Sequence, residues 1–376
     1  MRTNIRLVSM LITLFFCGLP LAAAERSPAG MEALLAAGAS GEALDKVCGV
    51  RDCADIRLFW YTDMEAAKAA ARASGKPILS LRLLGRLDEE FSCANSRFFR
   101  TVFYKNSEIN KLLRDRFVLH WRSVRAVPKV TIDFGDGSRL ERTLTGNSIH
   151  YVLDSRGRML EALPGLHGPA SFQKALTEAL EAQRLARNMN DADLESWSSA
   201  RRWSQLRDRM AALESDLKGL PSPTTGQLNT AGNDTASKRI VELPILRALE
   251  TVTDDEIETL ARLRRPGVRL DPASRAFLLR KQGVTDPVEA ERLVNAFESA
   301  VALDEAINEY RMAPAILNRL KEPATGKSFD LEAFNEWVYE EVFKTPLSDP
   351  WLGLAPDDVY TALPAGTRTA ERRPDR

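Results

Sequence analysis

Between residues 63 and 187 the sequence alternates between helix and strand patterns, and this alternation constrains the fold more than any other feature. DMEAAKAAARASGK is a helix pattern in which Asp63 can cap the start and Gly75 can end the helix. PILSLRLL, which begins at Pro77, is a short apolar strand. Helices that alternate with strands in this way predict an α/β domain.

A second helix is predicted to begin at Cys93. It carries an apolar stripe at helical spacing, formed by Phe98, Phe99, Val102 and Phe103. SEINKLLRDR predicts another helix, with Ser107 as its cap, and FVLHWRSV the next strand. VTIDFGDGSRLERTL predicts a hairpin, since Asp136-Gly137 offers the turn, and IHYVLD and RMLEAL form a further strand pair. A long helix opens at Gly168-Pro169.

The N-terminus has the three parts of a secretory signal. MRTNIR is positively charged, LVSMLITLFF is an apolar run, and Ala22-Ala23-Ala24 offers the small residues that signal peptidase requires. The alternative is a retained membrane anchor, but the apolar run is short for a bilayer crossing. We therefore predict a signal peptide over residues 1–24, and a mature chain that is periplasmic or secreted and has no membrane span.

Export changes the interpretation of the three cysteines that remain in the mature chain. Cys48 and Cys53 lie close together in CGVRDC and can be oxidised after export, either as a structural disulfide or as a reactive pair. We expect the structural disulfide. Cys93 is then the odd thiol, and an odd thiol in an exported protein requires an explanation.

The segment from Phe59 to about Leu180 resembles the thioredoxin superfamily, in particular its thioredoxin-like branch of exported bacterial proteins. The resemblance begins with Trp60, an alanine-rich helix and Gly75-Lys76-Pro77. It continues with an apolar strand, a cysteine at the next helix start, a second core strand at Phe117-Val118 and a final strand pair. It implies a thioredoxin-like three-layer α/β/α domain.

Two positions depart from the pattern of that family. Ser96 occupies the place of the second cysteine of C-x-x-C, which excludes an ordinary dithiol–disulfide cycle at this motif. Ser148, before Ile149, stands where the family has a cis-proline that helps to hold a substrate segment beside the sulfur. The resemblance makes Ser148 and Ile149 the candidate substrate-binding residues.

Several features favour a reactive thiol at Cys93. The amide groups and dipole at a helix N-terminus stabilise a thiolate. The segment from Arg97 to Arg125 has eight basic and two acidic residues, an excess of six positive charges. Ser96 is a candidate hydrogen-bond donor to the thiolate, and His150 is a candidate partner. The alternatives are that Cys93 is a small buried residue, or that it pairs with Cys48 or Cys53.

Composition excludes some functions. Lys+Arg and Asp+Glu are equal at 52 each, so net charge does not indicate nucleic-acid binding. Only three histidines are present, which argues against a multi-histidine metal site. His120 lies within a predicted strand, which favours a structural role for this side chain. We expect no metal and no cofactor, and the sequence leaves the oligomeric state open.

These patterns divide the chain into regions that follow the signal peptide. An N-terminal extension with the Cys48–Cys53 loop is predicted over 25–57, the thioredoxin-like domain over 58–187 and a charged helical extension over 188–219. A linker rich in Pro, Gly, Ser, Thr and Asn follows over 220–237. A mostly α-helical C-terminal domain is predicted over 238–363 and a disordered tail over 364–376.

The resemblance and the cysteines together lead to two function hypotheses. In the first, the protein handles thiols or disulfides of exported proteins through mixed disulfides at Cys93, which is isomerase-like chemistry. In the second, it is a redox-inactive thioredoxin-like scaffold that binds a protein partner.

Overall fold

The computed structural model describes residues 26–144, 146–218, 254–321, 329–349 and 352–353. This part of the chain is mixed α/β, with 59% helix and 14% strand. The predicted signal peptide, linker and C-terminal tail lie outside the described residues, as does part of the predicted C-terminal domain. Among the described helices, none has both the length and the apolar composition needed to cross a membrane.

Three short helices precede the sheet: α1 (Pro28–Ala36), α2 (Glu42–Cys48) and α3 (Cys53–Ile56). The disulfide predicted between Cys48 and Cys53 is present and joins α2 to α3. The Asp45 carboxylate on α2 accepts a hydrogen bond from the Cys53 amide at the start of α3, at 2.9 Å. Both cysteines are fully buried, so the disulfide belongs to the core of this region.

Seven strands are described: β1 (Trp60–Tyr61), β2 (Ile78–Leu84), β3 (Val118–Arg125), β4 (Lys129–Asp133), β5 (Arg139–Thr143), β6 (Ser148–Leu153) and β7 (Met159–Pro164). Five of them form one sheet in the order β1-β3-β2-β6-β7. Strands β1, β3 and β2 run parallel, whereas β6 is antiparallel to β2 and β7 is antiparallel to β6. The sheet is therefore mixed, with β2 at its centre.

Five helices accompany this sheet: α4 (Met64–Ser74), α5 (Ala94–Thr101), α6 (Ser107–Arg116), α7 (Pro169–Ala186) and α8 (Asp191–Lys218). The predicted end signals of α4 are confirmed, since Asp63 accepts from the Ala66 amide at 2.7 Å and Gly75 is left-handed. The predicted cap of α6 was wrong by one residue. Asn106, not Ser107, accepts hydrogen bonds from the second and third amides of that helix.

Strands β4 and β5 form the predicted hairpin as a separate two-stranded sheet. Ile132 and Phe134 are exposed on it, with 44% and 59% of their surface accessible. The hairpin leaves the central sheet after β3 and returns to it at β6, so both of its ends lie at the edge where β2 ends.

The two sides of β2 differ in chemistry. Leu79, Leu81 and Leu83 alternate with Ser80 and Arg82, and all five are buried. The Ser80 hydroxyl lies 2.8 Å from the Nδ1 atom of His120 on β3 and accepts from the Arg82 guanidinium at 2.6 Å. One side of the central strand is thus apolar, and the other carries a buried polar chain.

The described residues after position 253 are helical. They form α9 (Asp254–Arg264), α10 (Pro272–Gln282), α11 (Pro287–Ile307), α12 (Ala313–Leu320) and α13 (Leu331–Trp337). A 3-10 turn (Arg265–Val268) follows α9, and π-helical turns follow α11 (Asn308–Met312) and α13 (Val338–Val342).

These C-terminal helices share a hydrophobic core with the sheet and its helices. Phe98 stacks on Phe297 with ring centroids 5.6 Å apart. The Ser274 hydroxyl donates to the Val102 carbonyl at 2.9 Å. The predicted domain boundaries remain predictions, but the regions on either side of the predicted linker pack directly against each other.

Candidate functional site

Cys93 lies at the start of α5, directly beyond the carboxyl end of the central strand. It is the N-cap residue of the helix, with extended backbone angles. Its amide donates to the carbonyl of Leu84, the last residue of β2, at 3.1 Å. Cys93 keeps its thiol outside the Cys48–Cys53 disulfide and is fully buried. The predicted location at a helix N-terminus is therefore present, but the sulfur does not face solvent.

Ser96, the predicted donor to the thiolate, contacts oxygen atoms. Its hydroxyl lies 2.8 Å from the carbonyl of Cys93 and 2.7 Å from the hydroxyl of Ser92, with good geometry to donate to either. A serine three residues after an N-cap is well placed to reach the carbonyl of the cap residue. In this structure Ser96 therefore orders the first turn of α5, and its hydrogen bonds leave the Cys93 sulfur out.

Arg100 supports the same turn and was not singled out from the sequence. Its side chain is buried and donates to the carbonyls of Glu89 and Glu90, at 3.1 and 3.4 Å, and to the Ser92 hydroxyl at 3.2 Å. Burial lowers its pKa, partly opposed by Asp52 and Glu90. The guanidinium thus holds the loop that precedes Cys93. A basic residue inside the aromatic helix NSRFFRTVFY was the available signal.

The predicted substrate-binding residues lie at the same edge of the sheet as Cys93. Ser148 is the first residue of β6 and pairs with Leu83 on β2, next to the Leu84 carbonyl that anchors Cys93. The Ser148 hydroxyl is buried and has no hydrogen-bond partner among the described residues. Ile149 follows, fully buried and paired with Arg82. Both residues are close to Cys93 along the sheet, but neither is exposed to a substrate.

His150 lies in an aromatic environment. Its ring is fully buried, with centroids 4.6 Å from Phe99 and 5.2 Å from Phe172. Its Nε2 atom lies 3.4 Å from the Tyr104 hydroxyl. Burial lowers the pKa of His150 to about 3, with a smaller contribution from His167. The imidazole is therefore neutral at ordinary pH and cannot stabilise a thiolate as a cation would.

Two phenols are the electrostatic neighbours of Cys93. Burial raises the pKa of Tyr104 and of Tyr339 well above the ordinary value, and a thiolate at Cys93 adds to both shifts. Tyr104 follows α5, whereas Tyr339 comes from the π-helical turn after α13. Neutral phenols can donate hydrogen bonds and act as weakly polar walls for a thiol. Sequence reasoning missed Tyr339, because it lies 246 positions after Cys93.

No cluster of three or more histidine, cysteine, aspartate or glutamate side chains in the described part of the chain could hold a metal ion. Comparison of the chain with protein-family models, with curated proteins and with solved structures gives no match. The candidate site is thus a buried thiol at a helix start, flanked by an ordered serine–arginine network and by two phenols.

Proposed function

We propose that this chain is an exported thioredoxin-like protein that handles thiols or disulfides of other exported proteins through Cys93. The observation that carries the proposal is the placement of Cys93 at the N-cap of α5, with its amide bonded to the last residue of the central strand. Exchange of thiols and disulfides requires a thiolate, and amide groups at a helix N-terminus favour that form.

The order of elements supports the thioredoxin-like assignment. Helix α4, strand β2, the cysteine-bearing α5, strand β3, the strand pair β6–β7 and helix α7 follow in the sequence expected from the resemblance. Strands β6 and β7 lie together on one side of β2, as a terminal strand pair should. The β4–β5 hairpin is an addition between β3 and β6.

The intramolecular disulfide supports export. Such disulfides persist in oxidising compartments, and Cys48–Cys53 is buried where reductants have little access. The signal-like N-terminus leads to the same compartment, periplasmic or extracellular, where substrates with disulfides occur.

The chemistry requires one thiolate and a substrate thiol. The Cys93 thiolate attacks one sulfur of a substrate disulfide, a Cys93–substrate disulfide forms, and the other substrate sulfur leaves as a thiolate that takes up a proton. A substrate thiolate then attacks the mixed disulfide, forms a new substrate disulfide and releases Cys93 as thiolate. No net oxidation occurs. Because Ser96 stands where a second thiol would act, resolution depends on the substrate.

A redox-inactive scaffold is the second candidate, and the complete burial of Cys93 favours it. In that case the sulfur acts as a small apolar side chain beneath the protein surface. The same fold would then bind a protein partner without any covalent step.

Trapping of mixed disulfides separates the two candidates. The mature protein is incubated with disulfide-bonded exported proteins, quenched with acid, and mapped by non-reducing mass spectrometry. We expect an adduct at Cys93 that disappears in Cys93→Ala and persists in Cys48→Ala/Cys53→Ala, which lacks the disulfide cysteines. Adducts that are absent, or that do not depend on Cys93, would favour the scaffold.

A further inference from the structure

The groups that surround Cys93 lie at one edge of the sheet, where several strands begin or end. Strands β2 and β3 are parallel, so their carboxyl ends meet there, and the Gly85 amide donates to the Arg125 carbonyl at 2.8 Å. Strand β6 runs in the opposite direction and begins at this edge with Ser148. Ligands of open α/β sheets bind outside the carboxyl ends of the parallel strands. This edge is therefore where a substrate of Cys93 would approach.

Residues 329–349, called here the C-terminal segment, already occupy this edge. The segment consists of α13, the π-helical turn Val338–Val342 and the chain that follows. Its first contacts are made by side chains on the polar side of the sheet. The Glu332 carboxylate accepts from Arg82 at 2.7 Å, and the side-chain amide oxygen of Asn335 accepts from the Tyr151 hydroxyl at 3.1 Å.

The middle of the C-terminal segment contacts main-chain atoms at the strand ends. The Tyr339 hydroxyl lies 3.4 Å from the carbonyl of Arg82 on β2 and 3.3 Å from the carbonyl of Asn147, just before β6. The Asn147 amide group in turn lies 3.4 Å from the carbonyl of Phe343. Tyr339 and Phe343 are fully buried. The phenol that neighbours Cys93 thus bridges the two strands beside which a substrate would lie.

The end of the C-terminal segment crosses the third strand. Arg125, the last residue of β3, donates to the carbonyls of Leu347 at 3.2 Å and Asp349 at 2.7 Å. The segment therefore contacts residues of β2 and β6 first and the end of β3 last. Much of this contact is polar: side-chain donors bond main-chain carbonyls on both sides, in the sheet and in the C-terminal segment.

We propose that the C-terminal segment is an intramolecular ligand on the protein-binding surface of Cys93, and that Cys93 reacts only when the segment is displaced. This inference rests on the proposed function. The surface selects a polypeptide with an aromatic hydroxyl to reach the strand-end carbonyls and a carboxylate for Arg82, as Tyr339 and Glu332 do. An exported protein segment of that chemistry would compete with the C-terminal segment.

The contacts of the C-terminal segment are suited to release. The Glu332 side chain is 47% exposed, so its ion pair with the buried Arg82 is partly screened. The Tyr339 hydroxyl has one proton to donate, and both carbonyls in its reach are distant for an O–H donor, at 3.3 and 3.4 Å. Aromatic burial holds the segment in place, while its polar contacts add little each. Because thiol–disulfide exchange needs access to the sulfur, the covered state is unreactive and a minor open state carries the chemistry.

The rate of Cys93 modification in the full chain tests the proposal. A maleimide is added, and adducts at Cys93 are followed by peptide mapping. We expect wild type to react at least about 100-fold more slowly than the urea-unfolded chain, because only open molecules react. Glu332→Gln and Tyr339→Phe should each react about 2- to 5-fold faster than wild type. Glu336→Gln, on the exposed side of the same helix, is the matched control and should match wild type.

A peptide added in trans excludes a general loss of stability. Saturating amounts of the synthetic peptide FDLEAFNEWVYEEVFKTPLSD, residues 329–349, should slow modification of Glu332→Gln back toward the wild-type rate, whereas a scrambled peptide should not. The proposal is overturned if wild type reacts as fast as the unfolded chain, if both variants behave like Glu336→Gln, or if the two peptides act alike.

Failure of the proposed function gives a different result. If the variants accelerate maleimide modification but no Cys93 adduct forms with disulfide-bonded proteins, the C-terminal segment covers the thiol while the redox proposal fails. If wild type reacts fast and does form adducts, the redox proposal stands and the cover does not.

Discussion

The disulfide pair and the lone thiol of this chain are equally buried, yet they are enclosed in different ways. Cys48 and Cys53 are five positions apart and are held by the loop between them and by Asp45 nearby. Cys93 begins its own helix and is fully buried, and the buried Tyr339, far along the chain, is one of its electrostatic neighbours. The first enclosure is local, while the second depends on packing between distant parts of the chain. Contacts between distant parts of the chain can open without global unfolding, and the disulfide loop has a covalent closure that Cys93 lacks.

The largest expected effect is on the pH dependence of the unfolding free energy, through His150 and the aromatic rings that bury it. Burial lowers the pKa of His150 to about 3, against about 6.5 in an unfolded chain. Between these values the unfolded chain binds a proton at this position that the folded chain does not, so stability falls as pH is lowered below about 6.5. This histidine should contribute a loss of about 2.5 kcal/mol between pH 7 and pH 4.5.

Urea unfolding at the two pH values measures this loss. In His150→Gln the difference in unfolding free energy between pH 7 and pH 4.5 should shrink by about 2.5 kcal/mol relative to wild type. An unchanged difference would mean that His150 is accessible to protons in the folded chain. The layer around Cys93 would then be more open than described.

The next effect concerns the local enclosure. Replacement of Cys48 and Cys53 by alanine removes a cross-link that closes a short loop, and should lower the unfolding free energy by about 2 kcal/mol from chain entropy alone. Cys93→Ala should cost about 1 kcal/mol, as loss of a small buried group does. Urea unfolding of the two variants compares them directly, and a larger loss from Cys93→Ala would reverse the proposed contrast.

A smaller effect is expected from restoring C-x-x-C at the lone thiol. Ser96→Cys should give weak dithiol reductase activity, because the proximity of two thiols is the main requirement for intramolecular resolution. Ser148→Pro should raise it further if the edge is thioredoxin-like. Reduction of a protein disulfide by a thiol donor is the assay, with wild type and Cys93→Ala/Ser96→Cys, which keeps only the added thiol of the motif, as controls. A double variant that folds but remains inactive would favour the scaffold.

The smallest effect is expected from cutting the chain in the predicted linker, between the region that contains Cys93 and the region that contains Tyr339. The composition of residues 221–237 predicts that proteases cut there first. The ring stack of Phe98 on Phe297 and the ion pair of Arg82 with Glu332 predict that the fragments remain associated. Size-exclusion chromatography of the cut protein should show one peak at the position of the intact chain. Separate peaks would mean that the cover of Cys93 is not held across the two parts.

The sequence made local features predictable. Asp63 and Gly75 bound α4 as expected, the hairpin at Asp136-Gly137 forms, and the close spacing of Cys48 and Cys53 predicts their disulfide. Each of these signals lies within a few residues, so the physics that decides it is visible in a short window. The cap of α6 was missed by one residue. Asn106 and Ser107 are both residue types that cap helices well, and the sequence does not show at which of the two the helix begins.

The environment of Cys93 could not be predicted in the same way. In the sequence Arg82 is a single charge inside an apolar strand pattern. Its partner Glu332 lies 250 positions later, so the ion pair could not be predicted. His150 was expected beside a thiolate, but Phe99 and Phe172 make its surroundings apolar. These outcomes depend on which distant elements pack together, and the helical patterns of the C-terminal part do not say what its helices pack against.

The dependence of Cys93 modification on urea concentration tests the central claim most directly. If the C-terminal segment opens by itself, the logarithm of the modification rate should rise with urea along a slope well below that of global unfolding, and meet the global line only near the unfolding transition. This shallow slope is the predicted result. A rate that follows the slope of global unfolding at every urea concentration would contradict the account, because Cys93 would then be reached only in the unfolded chain.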